Sequence, residues 1–461
     1  DFTEMIPGQY GLQFINRTYR RSPAVWNMLS DAGKRVGVLG VPGTWPPEPV
    51  NGFMVSGFDS PVATAIDRSF VYPETLYPEV SAWRFADFQE HHKGPGWHDR
   101  ARTRLLAKIA DKEAVALRLF EKEPWDFFMV VFGESDTASH HFWRYQDPQS
   151  PRYAADSPYA GVIREVYQRL DETVGRFQKA AGSSVKIMVV SDHGFTGAGA
   201  GVIHLNNFLA EKGYLYFSGA SQSLLKTLAL RITPERIRGD LFRRFRSMAS
   251  RAESRSRFAG IDWTKTIAYS EELSYFPSVR INLAGREPRG IVPPEEYEPT
   301  VSALCAVLNA WPAIHAATPR GSLYHGPWVD HAPDILIQPA EIDGYPHTCL
   351  RARGGPSFRT MTPAEYDGGK EQGMNGVHRD PGVFIGNFPI TGFSSLQDIT
   401  PTTLAFLGVD GPAMDGRVLW ESPTSTVKTP ETPAPPTTVN PYTPEEADEI
   451  AERLRNLGYL E

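Results

Sequence analysis

Residues 185–195 read VKIMVVSDHGF. The apolar run Val185–Val190 stops abruptly at Ser191-Asp192-His193-Gly194-Phe195. A run this short, rich in β-branched residues and closed by glycine, reads as a buried strand. Just upstream, Val162, Val166, Leu170, Val174 and Phe177 recur at helical spacing. The alternation repeats further out. Ser22-Pro23 opens a helix that runs to Gly33, with a cap residue followed by proline in the first turn. Val36–Gly40 then reads as a strand, about Ala101 to Glu123 as a long helix, and Phe127–Phe132 as another strand. Later apolar runs cover 334–337 and 382–385. Fully apolar strands alternating with helices predict an α/β chain whose mostly parallel sheet is covered on both faces, three layers in all.

The bulk numbers bound what such a chain can be. It has 461 residues, 41% of them hydrophobic and 22% charged, enough for a sizeable core. A net charge of −7 argues against a general nucleic-acid binder while leaving a nucleotide-sized substrate open. Cys305 and Cys349 sit far apart in no metal-type spacing; they fit a reduced compartment, one disulfide being the other reading. No uninterrupted apolar run approaches the ~20 residues that span a bilayer. The expectation is a soluble chain whose compartment the sequence leaves open, the cytoplasm being favoured. Because it begins at Asp1 rather than methionine, it is expected to be processed, trimmed or a fragment.

Between Asn206 and about Arg289 the rhythm breaks. Segment 231–257 is rich in arginine, and Leu241, Phe242, Phe245 and Met248 fall at helical spacing, which predicts an amphipathic helix with a wet basic face. The predicted division is a core over 1–205, an inserted helical cap over 206–290, and more core over 291–421. A proline- and threonine-rich linker follows at 422–441. The last stretch, 442–461, is a short helix opened by Thr443-Pro444-Glu445-Glu446.

Ligands of open α/β sheets bind beyond the carboxyl ends of strands. After FFMVVF comes GESDTASHHFW (133–143), where Asp136 and His140 are four apart and share one side of a helical turn. After VKIMVV come Asp192 and His193, neighbours that can serve one centre only because the strand has ended. Gly194 permits a sharp departure there. His378 in GMNGVHRDPGVFIG (373–386) is the third candidate, flanked by Gly376 and Gly382. Each has an ordinary structural reading: a capping acid beside a hydrogen-bonded histidine, a surface ion pair, a lone histidine. Together at strand ends, carboxylate oxygen and imidazole nitrogen suit zinc and tolerate manganese or iron. Five such residues are more than one catalytic zinc takes, whereas a pair of ions would use them.

The order D-x-x-x-H, S-D-H-G-F, G-x-H-R-x-x-G-V-F resembles the type I phosphodiesterase/nucleotide pyrophosphatase family of the alkaline phosphatase superfamily. So do GVPGTWPPEPVNGFMVSGFDSP (40–61), HLNNFLAEKGYL (204–215), INLAGREPRGIV (281–292), YHGPWVDHAPDILI (324–337), DITPTTLAFLG (398–408) and the closing LRNLGYLE. The resemblance implies an alkaline-phosphatase-like core and two divalent ions, zinc or else manganese. Asp136, His140 and His378 would hold one ion, and Asp192 and His193 the other. It implies cleavage of phosphodiesters or nucleotide pyrophosphates in a small phosphate-ester substrate, through a covalent phospho-threonine or phospho-serine. A metal-binding member without activity is the alternative, as is a related enzyme acting on phosphomonoesters, phosphonates or sulfates.

Members of the family carry an aspartate after the first core strand and, further on, the threonine or serine nucleophile. No apolar run ending in aspartate precedes Val36. The chain is therefore expected to start partway into the domain, its nucleophile encoded ahead of Asp1, and no catalytic residue is assigned. Thr44, Ser191 and Thr196 are weak internal substitutes; Thr44 reads best as a turn residue in a proline-rich loop. Trp45 and the arginine-rich cap are the candidates for a leaving-group pocket, a core tryptophan and a solvated helix being the favoured readings.

Overall fold

Residues 3–57, 66–83, 95–218, 257–258, 260–274, 276–366, 374–390, 392 and 394–420 are described by the computed structural model. The arginine-rich segment up to residue 256, the linker and the C-terminal helix lie outside them. The chain opens with an antiparallel hairpin, β1 (Thr3–Met5) and β2 (Leu12–Phe14). Helix α1 (Val25–Asp31) starts later than Ser22-Pro23 signals, because Asn27 Oδ1 accepts from the Ala24 N–H at 2.9 Å and caps the helix from within. Then follow β3 (Val36–Val41), β4 (Gly52–Ser56), β5 (Val71–Tyr72), α2 (Tyr77–Val80), α3 (Trp97–Lys122) and β6 (Phe127–Val130). These strands form one sheet in the order β5-β4-β3-β6, parallel where β3 meets β4 and β6, antiparallel where β4 meets β5.

Side chains alternate across this sheet, as strand geometry requires. Val36, Val38 and Met54 pack with Trp26 and Leu29 of α1. Leu39, Phe53 and Val55 pack with Val115, Ala116 and Leu119 of α3 on the other face. Trp45 is buried in that second cluster, so it serves the core and not a substrate pocket.

After β6 come α4 (Glu134–Gln146) and α5 (Val162–Ala181), which pack with α3 through Leu105, Ile109, Ala138, Phe142, Val162 and Val166. Short strands follow: β7 (Met188–Val190), β8 (Gly194–Gly197) and β9 (Gly201–Ile203), then α6 (Leu205–Glu211). The later part holds β10 (Ala268–Tyr269), β11 (Ser278–Ile281), α7 (Tyr297–Asn309), β12 (Ile314–Pro319), α8 (Arg320–Leu323) and β13 (Ile335–Pro339). Beyond these lie β14 (Glu341–Ile342), β15 (Tyr345–Pro346), β16 (Thr348–Cys349), β17 (Phe358–Thr360), β18 (Gly376–Arg379), β19 (Phe384–Gly386) and α9 (Ile399–Phe406). Strands β10-β11-β13-β12 form an antiparallel sheet that takes two strands from each side of residue 290. Its core joins Leu205, Phe208, Tyr269, Ile281, Leu304, Ile335 and both cysteines.

The alternation of strand and helix is that of an α/β chain, but two expectations need correction. Parallel pairing among the described strands is confined to β3 with β4 and β6, and to β9 with β16; the other pairs are antiparallel. An apolar run reports burial and not direction, so 334–337 and 382–385 looked parallel and are not. Nor is Val185–Val190 the buried strand its composition suggests; only Met188–Val190 forms a strand. Among the described strands β7 pairs only with β19, and Val185, Val190, Val383 and Ile385 are exposed.

Helices α3 and α5 are fastened by Glu113. Its carboxylate accepts from Arg169 at 2.8 Å, Thr173 at 2.5 Å and Arg176 at 2.7 Å. Burial alone would raise this carboxyl, but those three donors outweigh it and hold it at about 2. A depressed carboxyl stabilises the fold above its ordinary value of 4.5, and that contribution is lost as pH falls towards 2. Glu113→Gln is expected to lower stability at pH 7 by roughly 1–3 kcal/mol and by much less near pH 3. Urea unfolding at the two pH values checks this; equal losses at both would contradict it.

Candidate metal centre

Asp136 and His140 stand on successive turns of α4, where β6 has ended. A buried ion pair, Lys112 Nζ to Glu134 Oε1 at 2.8 Å, ties the start of α4 to α3. Removing one partner of such a pair strands a buried charge, a loss of about 3–5 kcal/mol. The first turn of α4 is therefore a rigid place for a carboxylate.

His193 directly precedes β8, and His378 lies on β18. These strands pair antiparallel with His378 opposite Phe195. A Cβ on Gly376 would lie 2.3 Å from the Ser139 carbonyl oxygen, so only glycine lets β18 come this close to α4. Gly194 is needed for a similar reason: a Cβ there would lie 2.2 Å from the Pro381 carbonyl oxygen. Its role is close backbone approach rather than the sharp turn expected from sequence.

The result is a cluster around one carboxylate oxygen. Asp136 Oδ1 lies 3.4 Å from His140 Nε2, 3.7 Å from His193 Nε2 and 3.3 Å from His378 Nε2. The Nε2 atoms of His140 and His378 are 3.1 Å apart, and the rings of His193 and His378 stack at 3.5 Å. One ligand atom each from Asp136, His193 and His378 falls within a 4.8 Å span. Asp192 sits at the rim, its side chain 80% exposed and its Oδ2 3.5 Å from His193 Nε2. Sequence reasoning divided the five residues between two groups. In the structure His193 approaches Asp136 almost as closely as it does Asp192.

Second-layer contacts orient the rings. His140 Nδ1 is 2.8 Å from the Gly376 carbonyl oxygen, and His193 Nδ1 is 3.1 Å from that of Gly194. A carbonyl can only accept, so Nδ1 carries the proton, and in the neutral form of either ring Nε2 presents a lone pair. Phe195 lies edge-on to His140, His193 and His378, with centroids at 4.8, 5.3 and 5.2 Å. This apolar floor went unnoticed in the sequence, although Phe195 belongs to the stretch that decided the fold.

The electrostatics match metal-ligating chemistry. Burial would raise the Asp136 carboxyl, but His140 and His378 overcome it and hold it well below the carboxylate range. Burial pushes His378 down to about 4, with His140 and His193 adding to the effect and Asp136 opposing it. At neutral pH the cluster thus offers an anionic oxygen and a neutral ring.

The internal hydroxyls have other work. Thr44 is buried, donating to the Val41 carbonyl at 2.6 Å and accepting from the Gly57 N–H at 3.1 Å. Ser191 Oγ accepts from the Val383 N–H at 2.6 Å. Thr196 lies on β8, its hydroxyl 3.4 Å from the Gly344 carbonyl.

Asp136, His193 and His378 form a group that could hold a metal ion, with His140 set against it. The type I phosphodiesterase / nucleotide pyrophosphatase family matches residues 9–346, and the chain belongs to that family, among the phosphoester hydrolases of the alkaline phosphatase superfamily. His378 and β18 lie beyond the matched span. Phosphonoacetate hydrolase from Sinorhizobium meliloti 1021, solved in complex with phosphonoformate, is similar with a TM-score of 0.43 at 13% identity, over 88% of this chain and 79% of that one. The same protein in complex with phosphonoacetate gives 0.42 at the same identity and coverage. Comparison with curated proteins found no match. No helix among the described residues is long and apolar enough to cross a membrane.

In the metal-free chain the His378 ring is expected to titrate near pH 4, and Asp136→Asn to lower that midpoint further, because the carboxylate favours the imidazolium. NMR titration of the ring C–H signals checks this; a midpoint near the ordinary 6.5 would contradict the geometry.

Proposed function

We propose that the chain is a metal-dependent phosphodiesterase or nucleotide pyrophosphatase. Its two divalent ions, zinc or manganese, use Asp136, His140 and His378 for one and Asp192 with His193 for the other. The observation that carries the metal reading is the convergence of three imidazole nitrogens on one carboxylate oxygen, two of the rings held through Nδ1 by backbone carbonyls; the division between two ions follows the family resemblance, since His193 Nε2 lies 3.7 Å from Asp136 Oδ1 and 3.5 Å from Asp192 Oδ2. The donors fit the group: carboxylate oxygen and neutral imidazole nitrogen are what zinc and manganese take. When bound, such ions polarise a phosphoryl oxygen and offset the negative charge that grows on it.

The chain's own residues do the rest. The Nδ1–H bonds of His140 and His193 keep their Nε2 atoms facing Asp136. Phe195, stacked at 6.3 Å on Trp143, keeps water from one side of the rings. Asp192 faces solvent, where a small phosphate ester or nucleotide would arrive. The net charge of −7 favours such a substrate over a nucleic-acid polymer.

The test loads the purified chain with zinc or manganese, removes loose ion, and measures metal content and hydrolysis of bis(p-nitrophenyl) phosphate. Expected is retained metal in the wild type, lost in Asp136→Asn and His378→Ala together with whatever hydrolysis the wild type shows. Wild-type metal content in both variants would overturn the site assignment.

A further inference from the structure

We propose that Arg152 is a positioning residue for this cluster, clamping the strands that carry His193 and His378 against the helix that carries Asp136 and His140. The inference rests on the metal reading of those residues. Arg152 follows α4 in the loop where the Ala154 N–H donates to the Arg144 carbonyl at 2.9 Å. Its side chain is fully buried, and no described carboxylate pairs with it. The guanidinium donates only to neutral oxygens: the Gly199 carbonyl from Nε at 3.0 Å and Nη2 at 2.7 Å, the Met374 carbonyl from Nη1 at 3.1 Å, and Thr348 Oγ1 from Nη2 at 3.5 Å. Burial pushes Arg152 down to about 10, so it keeps its charge at neutral pH. Burying a cation without an anion is unfavourable, and pure gap-filling does not require one.

The location of the acceptors explains the charge. Gly199 lies just past the end of β8 and Met374 just before the start of β18, at the same end of that strand pair. Beside Met374, the Asn375 N–H donates to the His140 carbonyl at 2.9 Å and the Asn375 carbonyl accepts from the Ala198 N–H at 2.9 Å. The next carbonyl, that of Gly376, orients the His140 ring. One planar fork thus sets the height of β8 and β18 against α4, and a small shift of Met374 would be felt at both ring and backbone of His140. Lysine offers no rigid fork and cannot reproduce the clamp.

The experiment compares the wild type, Arg152→Lys and Arg152→Met. Zinc affinity is measured by competition with a chelating dye, and the histidine ring C–H signals of the metal-free chains by NMR. Both variants are expected to lose about 10–100-fold in zinc affinity, as outer-layer partners of metal ligands typically do, and to shift the His378 and His140 signals. Wild-type affinity and unshifted rings in a folded Arg152→Lys chain would overturn the proposal and leave Arg152 as structural glue. If Arg152→Met fails to fold, Arg152→Lys alone decides. A wild-type chain that binds no zinc would sink the metal reading instead; the ring signals would then decide whether Arg152 positions the histidines.

Discussion

The close approach of β18 to α4 is the constraint on which the candidate centre depends. Ser139 turns its carbonyl towards a strand residue that has no room for a Cβ, and that residue is Gly376. Its carbonyl then accepts from His140 Nδ1, while pairing with β8 sets His378 opposite Phe195. One backbone contact thus decides the direction of two imidazoles. Had β18 stood further away, His140 and His378 would belong to separate surfaces and Asp136 would lose the ring of His378.

Electrostatics reinforce this geometry. Asp136 is half-buried, and its withdrawal from solvent alone favours its neutral form; the adjacent imidazoles reverse that preference. His378 is half-buried too, and its neutral form is the one that can lend a lone pair. A pocket that keeps an acid ionised and a base uncharged at neutral pH has both groups in their metal-ligating states. Lys112 and Glu134, paired away from solvent at the start of α4, hold the carboxylate's platform still.

Much of this was legible locally. The i, i+4 spacing of Asp136 and His140 placed them on one helical face, and the periodicity from Val162 to Phe177 marked α5. Asp192 and His193 were singled out because a strand ended there. What local pattern could not show was pairing at long range. NGVHR has no periodicity to betray a strand, and its partner β8 lies nearly two hundred residues upstream. For the same reason the antiparallel sheet of β10, β11, β13 and β12 was hidden inside apolar runs that suit either direction. Arg152 left no local signal at all, since its acceptors are backbone carbonyls of distant residues. Gly376 did leave one: a glycine two residues before a histidine, whose meaning became clear only with Ser139 beside it.

X-ray absorption at the zinc edge of the zinc-loaded chain tests the central claim most directly, that Asp136, His140, His193 and His378 form a metal-binding cluster. The account predicts nitrogen and oxygen ligation with Zn–N near 2.0–2.1 Å, together with the outer-shell scattering of at least two imidazole rings. A spectrum of oxygen ligands alone, with no imidazole scattering, would contradict it.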